Sequence, residues 1–334
     1  MSTDLDRSLT VAVDAVRAAS IVCRKVQANL VTAETVEKKD KSPVTVADFA
    51  SQAVVCQALQ AAFPELPVVG EEDSKDLRAE GADRLRASVA QHVAMVVDGS
   101  PDESRVLDWI DHGGWTPDGS ASAYWTLDPI DGTKGFLRGQ QYAIALGLIE
   151  NGRVVLGVLG CPNLATVDGG SEIGVLMTAV RGKGARLLGL EAGGGGGETI
   201  GVSAVSSTEE ARFCESVESG HSDQGASAQI AATLGITEEP YRIDSQCKYA
   251  AVARGDASIY LRLPTSAEYR EKIWDHAAGM IVVEEAGGTV TDVHGNTLDF
   301  SQGRKLEDNQ GIIATNGRFH DEVVDAVRPA LTNV

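Results

Sequence analysis

The sequence predicts an α+β or α/β protein in which helices are layered on β-sheets. Apolar residues recur at helical spacing over residues 4–28, and two apolar β runs flank the dipeptide Asn151-Gly152. Asn-Gly between such runs is a strong hairpin signal. Helical and strand patterns then alternate through the second half, which favours helices packed on a sheet.

The first half begins with two predicted helices. An amphipathic helix is expected over 4–28. Thr45 is expected to cap a second helix that runs to about Phe63 and ends at Pro64. A short strand follows over 66–70. The remaining predicted elements are a charged loop over 37–42, a helix over 83–95 and strands over 124–127, 142–149, 154–159 and 173–180.

Five consecutive glycines, Gly193 to Gly197, separate the two halves. No Gly-Lys-Ser/Thr follows them, so they do not form a phosphate-binding loop, and we expect a flexible linker or surface loop. The predicted domains are residues 1–190 and 198–334, joined by 191–197. In the second half, helices are predicted over 223–234, 246–254, 274–286 and 319–328, and strands near 213–217, 240–243, 257–261, 288–293 and 311–314.

Composition limits the classes of partner. The 334 residues carry a net charge of −19, which disfavours a nucleic acid polymer because phosphate backbones require Lys and Arg surfaces. A small phosphorylated substrate remains compatible, since a bound metal reverses the local field. A solvated acidic surface accounts for most of the charge.

The cysteines and the N-terminus predict a cytoplasmic protein. Five scattered cysteines without C-x-x-C spacing disfavour zinc and favour a reducing compartment, with a redox pair as the alternative. No long uncharged apolar run predicts a membrane helix, and Met1 to Asp6 lack the basic start of a signal peptide.

Two carboxylates three residues apart make the most informative stretch of the chain. Asp128 and Asp131 follow an apolar run that ends in Leu127, and Pro129 and Gly132 lie between and after them. Carboxylates on a strand end can bind Mg²⁺, which prefers oxygen ligands. The alternative is a Pro-Gly turn whose aspartates bond their own backbone.

Three further carboxylates lie at the ends of predicted elements. Asp48 is in the first turn of the second helix, where Thr45-x-x-Asp48 also resembles a capping box; Glu71 ends a strand; Asp275 opens a helix. If these carboxylates converge with the first two, their repulsion requires cations. Because we expect no His or Cys nearby, Mg²⁺ or Mn²⁺ is favoured over zinc.

Four segments resemble those of a known superfamily. Asp128–Thr133 and Trp274–Gly279 are similar to the two signatures of the inositol monophosphatase-like superfamily of Mg²⁺-dependent, lithium-inhibited phosphatases. Val69–Glu72 and Ser42–Asp48 resemble its other two metal-site segments. The resemblance implies a layered αβαβα sandwich of the inositol monophosphatase/fructose-1,6-bisphosphatase type.

The same resemblance implies the roles of the carboxylates. Thr133 and Asp48 would activate the water. Two or three Mg²⁺ ions are implied, with Mn²⁺ as a substitute and Li⁺ as an inhibitor. The implied metal ligands are Asp48, Glu71, Asp128, Asp131, Asp275 and the backbone carbonyl of Ile130.

Other segments resemble the 3′(2′),5′-bisphosphate nucleotidases within that superfamily. They are Gly135-Phe136, Val217–Ser222, Asp244–Tyr249 and Tyr260–Pro264. For Lys248 and Arg262, the alternative to binding substrate is an internal salt bridge. For His221, the alternative is a structural role. The implied substrate contacts are Gly132, Thr133, His221, Ser245, Lys248, Arg262 and Asp275.

The implied reaction is hydrolysis of the 3′-phosphate of adenosine 3′,5′-bisphosphate to AMP and phosphate by a monomer, with the sulfated analogue as a second substrate. Two alternatives stay open. One is an inositol polyphosphate 1-phosphatase or inositol monophosphatase that shares the metal site. The other is a nucleotide sensor without turnover. Residues 74–123 match no pattern of the superfamily, so the residues at the rim of the pocket stay undetermined.

Overall fold

Two β-sheets and three layers of helices alternate through the molecule. The computed structural model describes residues 3–28, 35–37, 43–167, 170–191, 197–217, 224–264, 266 and 268–333, with the backbone alone at 35–37, 43–45, 224 and 332–333. Among these residues, none of the helices combines the length and the apolar character needed to cross a bilayer. All five cysteines are buried and free.

The helices differ widely in length. Turns of 3-10 helix occur at Thr208–Glu210, Ile273–Asp275 and Arg328–Asn333. The α-helices are α1 (Leu5–Ala28), α2 (Val46–Ala62), α3 (Lys75–Arg78), α4 (Asp83–Val93), α5 (Glu103–His112), α6 (Thr133–Leu137), α7 (Gln224–Thr233), α8 (Cys247–Ala253), α9 (Ala277–Glu285) and α10 (His320–Val327).

The first large sheet has seven strands in sequential order, and only its first pair is parallel. A separate two-stranded ribbon pairs β1 with β2. The strands of the ribbon and of this sheet are β1 (Thr35–Glu37), β2 (Pro43–Thr45), β3 (Val68–Gly70), β4 (Ala123–Asp131), β5 (Ala143–Glu150), β6 (Arg153–Ala165), β7 (Ile173–Val180), β8 (Gly184–Gly189) and β9 (Glu198–Thr199).

The second large sheet has five strands and mixed pairing. Its strands are β10 (Phe213–Glu215), β11 (Tyr241–Arg242), β12 (Ile259–Arg262), β13 (Thr289–Thr291) and β14 (Ile312–Thr315). In space the order is β11-β10-β12-β14-β13. The first three strands run parallel, and β14 pairs antiparallel with both of its neighbours.

Three apolar clusters separate the layers. α1 and α2 cover one face of the seven-stranded sheet, where Val16 and Phe49 join one cluster with Leu146. α8 and α9 lie between the two sheets in a second cluster. α10 and α7 pack with the outer face of the five-stranded sheet, where Val323 and Ile230 lie in the third cluster. The αβαβα prediction is therefore confirmed.

Most of the predicted elements are present, including every helix and strand of the second half. The Asn151-Gly152 hairpin joins β5 to β6, and both of its residues have positive φ, at 50° and 74°. The sequence patterns missed seven elements because these are short or strongly polar: α3, α5, α6, β1, β2, β8 and β9. Of the predicted charged loop over 37–42, Glu37 ends β1 and the rest lies outside the described residues.

The structure gives further detail at two predicted boundaries, the end of strand β4 and the glycine run. β4 continues through Asp131, whereas the sequence predicted a strand that stops at Leu127. β8 and β9, on either side of the glycine run, pair antiparallel within one sheet, with Arg186 opposite Thr199. Residues 192–196 lie outside the described part of the chain. The division into domains at 191–197 stays a prediction.

Small residues allow α9 to approach the seven-stranded sheet closely. On β5, Ile144 and Leu146 face the α1/α2 layer, whereas Ala143 and Ala145 face α9. A Cβ added at Gly157 on the next strand would lie 2.5 Å from Cγ2 of Ile281. The helix that follows Asp275 can therefore lie this close to the sheet because Gly157 has no side chain.

We expect Gly157→Ala to destabilise the fold by about 1–3 kcal/mol, because an added methyl group overpacks this contact. Equilibrium unfolding in urea measures the change. Gly201→Ala is the matched control, since its nearest neighbour would be Ala286 O at 3.7 Å. Equal stability of both variants and the parent would contradict this account of the packing.

Candidate active site

The ends of two parallel strands bring Glu71 and Asp128 to the same edge of the sheet. Gly70 of β3 lies opposite Leu127 of β4, and the Glu71 N–H donates to Leu127 O at 3.2 Å. Glu71 and Asp128 therefore follow the same rung of the ladder. Asp128 is only 2% exposed, whereas Glu71 is exposed.

A bulge in β4 sets the position of Asp131. The register shifts between Asp128 and Asp131, and the Asp128 carboxylate accepts from the Ile130 N–H at 3.1 Å. Asp128 therefore bonds the backbone two residues on, as the alternative of a Pro-Gly turn predicted, but it does so within strand β4. Gly132 follows with a φ of 90°, and the Thr133 hydroxyl donates to Ile130 O at 3.4 Å.

The first turn of α2 supplies Asp48. This carboxylate is 2% exposed, and the Ser51 hydroxyl donates to Pro129 O at 2.8 Å, which places the start of α2 against the bulge. Burial, followed by the charge of Asp48, raises the pKa of the Cys23 thiol. The side chain of Thr45 lies outside the described residues, so the capping-box alternative stays untested.

Gln246 connects the segments that carry Asp131 and Asp275. Its N–H donates to the Asp131 carboxylate, while its side-chain amide donates to Trp274 O at 2.9 Å and accepts from the Gly279 N–H at 3.1 Å. Its hydrogen-bonding role was not predicted, because its partners lie 28 to 115 residues away. Gln246 is 2% exposed.

Four other carboxylates lie close enough to Asp128 for their charges to act on its pKa. Burial raises it well above the usual value of an aspartate, and the charges of Glu71, Asp131, Asp275 and Asp48 raise it further, in that order. All the groups are hard oxygen donors, which fits a divalent cation such as Mg²⁺. A cation would offset both the burial and the repulsion.

Asp275 also belongs to a second cluster of ionisable groups. Among the described residues, Glu271, Asp275 and His276 form the one group of His, Cys, Asp and Glu whose ligand atoms all lie within 4.8 Å of one another. The expectation of no histidine or cysteine nearby was therefore wrong: His276 lies here, and Cys23 lies near Asp48. Both ring nitrogens of His276 have partners, Tyr249 Oη at 2.8 Å and Glu271 at 3.1 Å.

Arg262 takes part in the internal salt bridge that the sequence left as an alternative. Its guanidinium lies 2.8 Å from Glu271 and 3.9 Å from Asp275. Burial acts to raise the pKa of Glu271, but Arg262 and His276 lower it below its usual value. The arginine already balances charge in this cluster, so the cluster is less suited to a metal than the Asp128 site.

Lys248 differs from Arg262 in its partners. It is 6% exposed, its ammonium donates to the Ser216 hydroxyl at 3.2 Å, and it lies 5.3 Å from the Tyr260 ring centroid. Burial lowers its pKa, which the charge of Asp131 partly opposes. In the described part of the chain, no carboxylate forms an ion pair with Lys248.

Ser245 contacts the strand end that carries Asp131. Its φ of 66° is unusual for a residue with a Cβ, and a Cβ added at Gly132 would lie 2.9 Å from Cβ of Ser245. Gly132, Thr133, Ser245 and Lys248 therefore lie on segments that adjoin Asp131. His221 lies outside the described residues.

Gln52 is a further buried amide that the sequence analysis missed. Its side chain donates to Glu72 O at 2.7 Å and to Ile110 O at 2.8 Å, and it accepts from the Glu72 N–H at 3.0 Å. It therefore fixes the chain immediately after Glu71. The signal available in the sequence was a glutamine within the apolar run that forms α2.

Comparisons with known proteins show the family and the fold of the chain. The family model described as "Inositol monophosphatase family" matches residues 4–332. A 3′(2′),5′-bisphosphate nucleotidase of Oryza sativa is 46% identical over 97% of this chain and 94% of its own length. A protein of the same name from Emericella nidulans is 43% identical, with 98% and 99% covered. The IMPase of Thermotoga maritima has a TM-score of 0.66 at 24% identity, with 98% of each chain covered.

The chain therefore belongs to the inositol monophosphatase family. The match covers both sheets and all three helical layers. The Thermotoga structure supports the fold alone, because its sequence identity is low.

We expect Asp128→Asn to raise the free energy of unfolding in EDTA by about 1–3 kcal/mol, because it removes a buried charge from a repulsive cluster. A raised pKa in the folded state gives stability that is present below about pH 4 and is lost as pH rises through the folded pKa. The parent should therefore lose stability with rising pH more steeply than the variant. Chemical unfolding at several pH values measures both slopes.

The exposed Asp118 supplies the control. Asp118→Asn should give no gain in EDTA. A destabilised Asp128→Asn protein with the parental pH slope would show that Asp128 is not held in a repulsive cluster.

Proposed function

We propose that this protein is a Mg²⁺-dependent phosphatase that hydrolyses the 3′-phosphate of adenosine 3′,5′-bisphosphate to AMP and phosphate, with the sulfated analogue as a second substrate. The observation that carries the proposal is the set of four carboxylates whose charges act on the buried Asp128, together with the buried Lys248, whose charge acts on Asp131. The names of the relatives that match nearly the whole chain support the substrate.

The proposed metal site uses only oxygen ligands. Mg²⁺ supplies, when bound, the positive charge that neutralises a phosphoryl group in the transition state. The number of carboxylates supports the proposal of two or three ions. Replacement by Mn²⁺ and inhibition by Li⁺ are part of the proposal because the resemblance to the superfamily implies them. The ligands would be Asp48, Glu71, Asp128, Asp131, Asp275 and the carbonyl of Ile130.

Thr133 and Asp48 would prepare the attacking water. The Thr133 hydroxyl donates its proton to Ile130 O, so its lone pairs are free to accept a hydrogen bond from water and orient it. Asp48 is nearly inaccessible and lies against the bulge through the contact of Ser51 with Pro129. It would take the proton that the water releases.

Lys248 would pair with the second phosphate of the substrate. A buried ammonium whose described partners are a hydroxyl and an aromatic ring gains a strong hydrogen bond from a phosphate oxygen. Arg262 gains less, because Glu271 already shares its charge. The other proposed contacts are Gly132, Thr133, Ser245, Asp275 and His221.

We also propose that the protein acts as a monomer in the cytoplasm. The five free, buried cysteines support a reducing compartment. The proposed division of labour gives the metal ligands mainly to residues 1–190 and the nucleotide contacts mainly to 198–334.

We expect phosphate release from adenosine 3′,5′-bisphosphate to require Mg²⁺, to stop in EDTA and to fall with added Li⁺. Asp131→Asn should lower kcat by a factor of about 100 or more, because it removes a charge that would face the cation. A colorimetric phosphate assay measures each rate. The exposed variant Asp118→Asn is again the control.

Three outcomes would contradict the proposal. Faster turnover of inositol 1,4-bisphosphate than of the nucleotide would identify the inositol phosphatase alternative. Nucleotide binding with no turnover by the parent would identify a sensor. Activity that EDTA leaves unchanged would contradict the proposed role of a metal ion in catalysis.

We expect Lys248→Met to raise KM for adenosine 3′,5′-bisphosphate about tenfold or more, because one charge-assisted hydrogen bond to phosphate is lost. KM for adenosine 3′-monophosphate should change much less, since it lacks the second phosphate. Steady-state kinetics on both substrates test this. Lys183→Met, which removes an exposed ion pair with Asp6, should change neither value, and equal changes for both substrates would contradict the assignment.

A further inference from the structure

We infer that Arg304 is a positioning residue that fixes the chain before Glu71 relative to the chain before Asp275. The inference rests on the proposed function, in which both carboxylates are metal ligands. Arg304 touches neither carboxylate through a described hydrogen bond. It acts on the residues that immediately precede them, Gly70 and Trp274.

The guanidinium joins three separate segments. Its Nη2 donates to Gly70 O at 2.6 Å, and its Nη1 donates to Trp115 O at 3.0 Å. Its Cζ lies 4.7 Å from the centroid of the Trp274 ring. Gly70 and Trp115 are themselves neighbours, because the Trp115 N–H donates to Val68 O on β3.

The backbone around Arg304 holds the opposite side of the same site. The Ile273 N–H donates to Arg304 O at 3.2 Å, and the Leu306 N–H donates to Glu271 O at 2.9 Å. Lys272 and Lys305 form an antiparallel bridge between these two bonds. Residues 304–306 therefore run beside 271–273, and the Arg304 side chain extends from there to β3.

The contacts suit an arginine better than a lysine. A planar guanidinium carries five N–H donors in a fixed fork and can donate to two separate carbonyls while it lies over an indole, whereas an ammonium is a compact point charge without that spread of donors. The half-buried cation also faces acidic groups: Glu71 and Asp73 act to raise its pKa against the effect of burial. Arg304 thus adds positive charge at the rim of a cluster of carboxylates.

Loss of these contacts would free Glu71 and Asp275 to move apart. Removing the donor leaves the carbonyl of the buried Gly70 without its bond to Arg304, so the chain before Glu71 would shift to recover one. Groups that orient metal ligands typically change metal affinity by about 10- to 100-fold when they are mutated. The expected effect is therefore on cation affinity.

The test compares Arg304→Gln and Arg304→Lys with matched variants at Arg212. Arg212 is also half-buried, donates to a backbone carbonyl, Glu239 O at 3.1 Å, and lies 5.1 Å from an aromatic ring, that of Tyr241. Its contacts involve none of the proposed ligands. The primary measurement is the Mg²⁺ concentration that gives half of the maximal rise in Tm, without substrate. Titration of free Mn²⁺ by electron paramagnetic resonance supplies an independent affinity.

We expect Arg304→Gln to raise the half-saturating concentration about 10- to 100-fold and Arg304→Lys to raise it less. The Arg212 variants should keep the parental value even where they lower Tm. Phosphatase activity of the Arg304 variants should recover at high Mg²⁺. If Arg304→Gln does not fold, the Arg304→Lys titration decides.

Parental ion affinity in the Arg304 variants would overturn this inference and leave the proposed function intact. A parent protein that binds neither Mg²⁺ nor Mn²⁺ would overturn the proposed function, and the inference with it. An equal loss of ion affinity at Arg212 and Arg304 would show a general effect of destabilisation and would also overturn the inference.

Discussion

Carboxylates that lie close together in a buried site repel one another, and a fold that keeps them there needs a rigid scaffold together with protonation or a bound cation. Asp128 experiences this repulsion from residues on three other parts of the chain: Asp48 on α2, Glu71 after β3 and Asp275 before α9. Each of them stands where a regular element begins or ends. The remaining architecture can be understood as the means of holding these ends in place.

Close packing provides part of that rigidity. Asp275 approaches the strand ends because α9 packs tightly on the seven-stranded sheet. Ala277 and Ala278 contact the positions of Gly147 and Gly157, and a Cβ at Gly279 would lie 2.2 Å from the ring of Tyr249. The small residues of the signature thus have a packing reason that is separate from the chemistry of the aspartate beside them.

Neutral amides and one guanidinium provide the other part. Gln52 fixes the chain after Glu71, Gln246 connects Asp131 to Trp274, and Arg304 connects Gly70 to Trp274. The side-chain amides of both glutamines bond backbone groups and the backbone N–H of Gln246 bonds Asp131, so these contacts add no charge to the site. The single guanidinium lies at the rim and contacts backbone carbonyls of the strand end.

The sequence by itself determined the layered fold class, the hairpin at Asn151-Gly152 and nearly all the long elements, and it predicted which carboxylates form the metal site. Those features depend on local periodicity or on contiguous motifs. Only the tertiary structure decided that Arg262 pairs with Glu271, that His276 is close to Asp275, and that Gln52, Gln246 and Arg304 connect separate segments of the chain. Most of these partners lie 20 to 234 residues apart, and such hydrogen bonds leave no pattern in the local sequence.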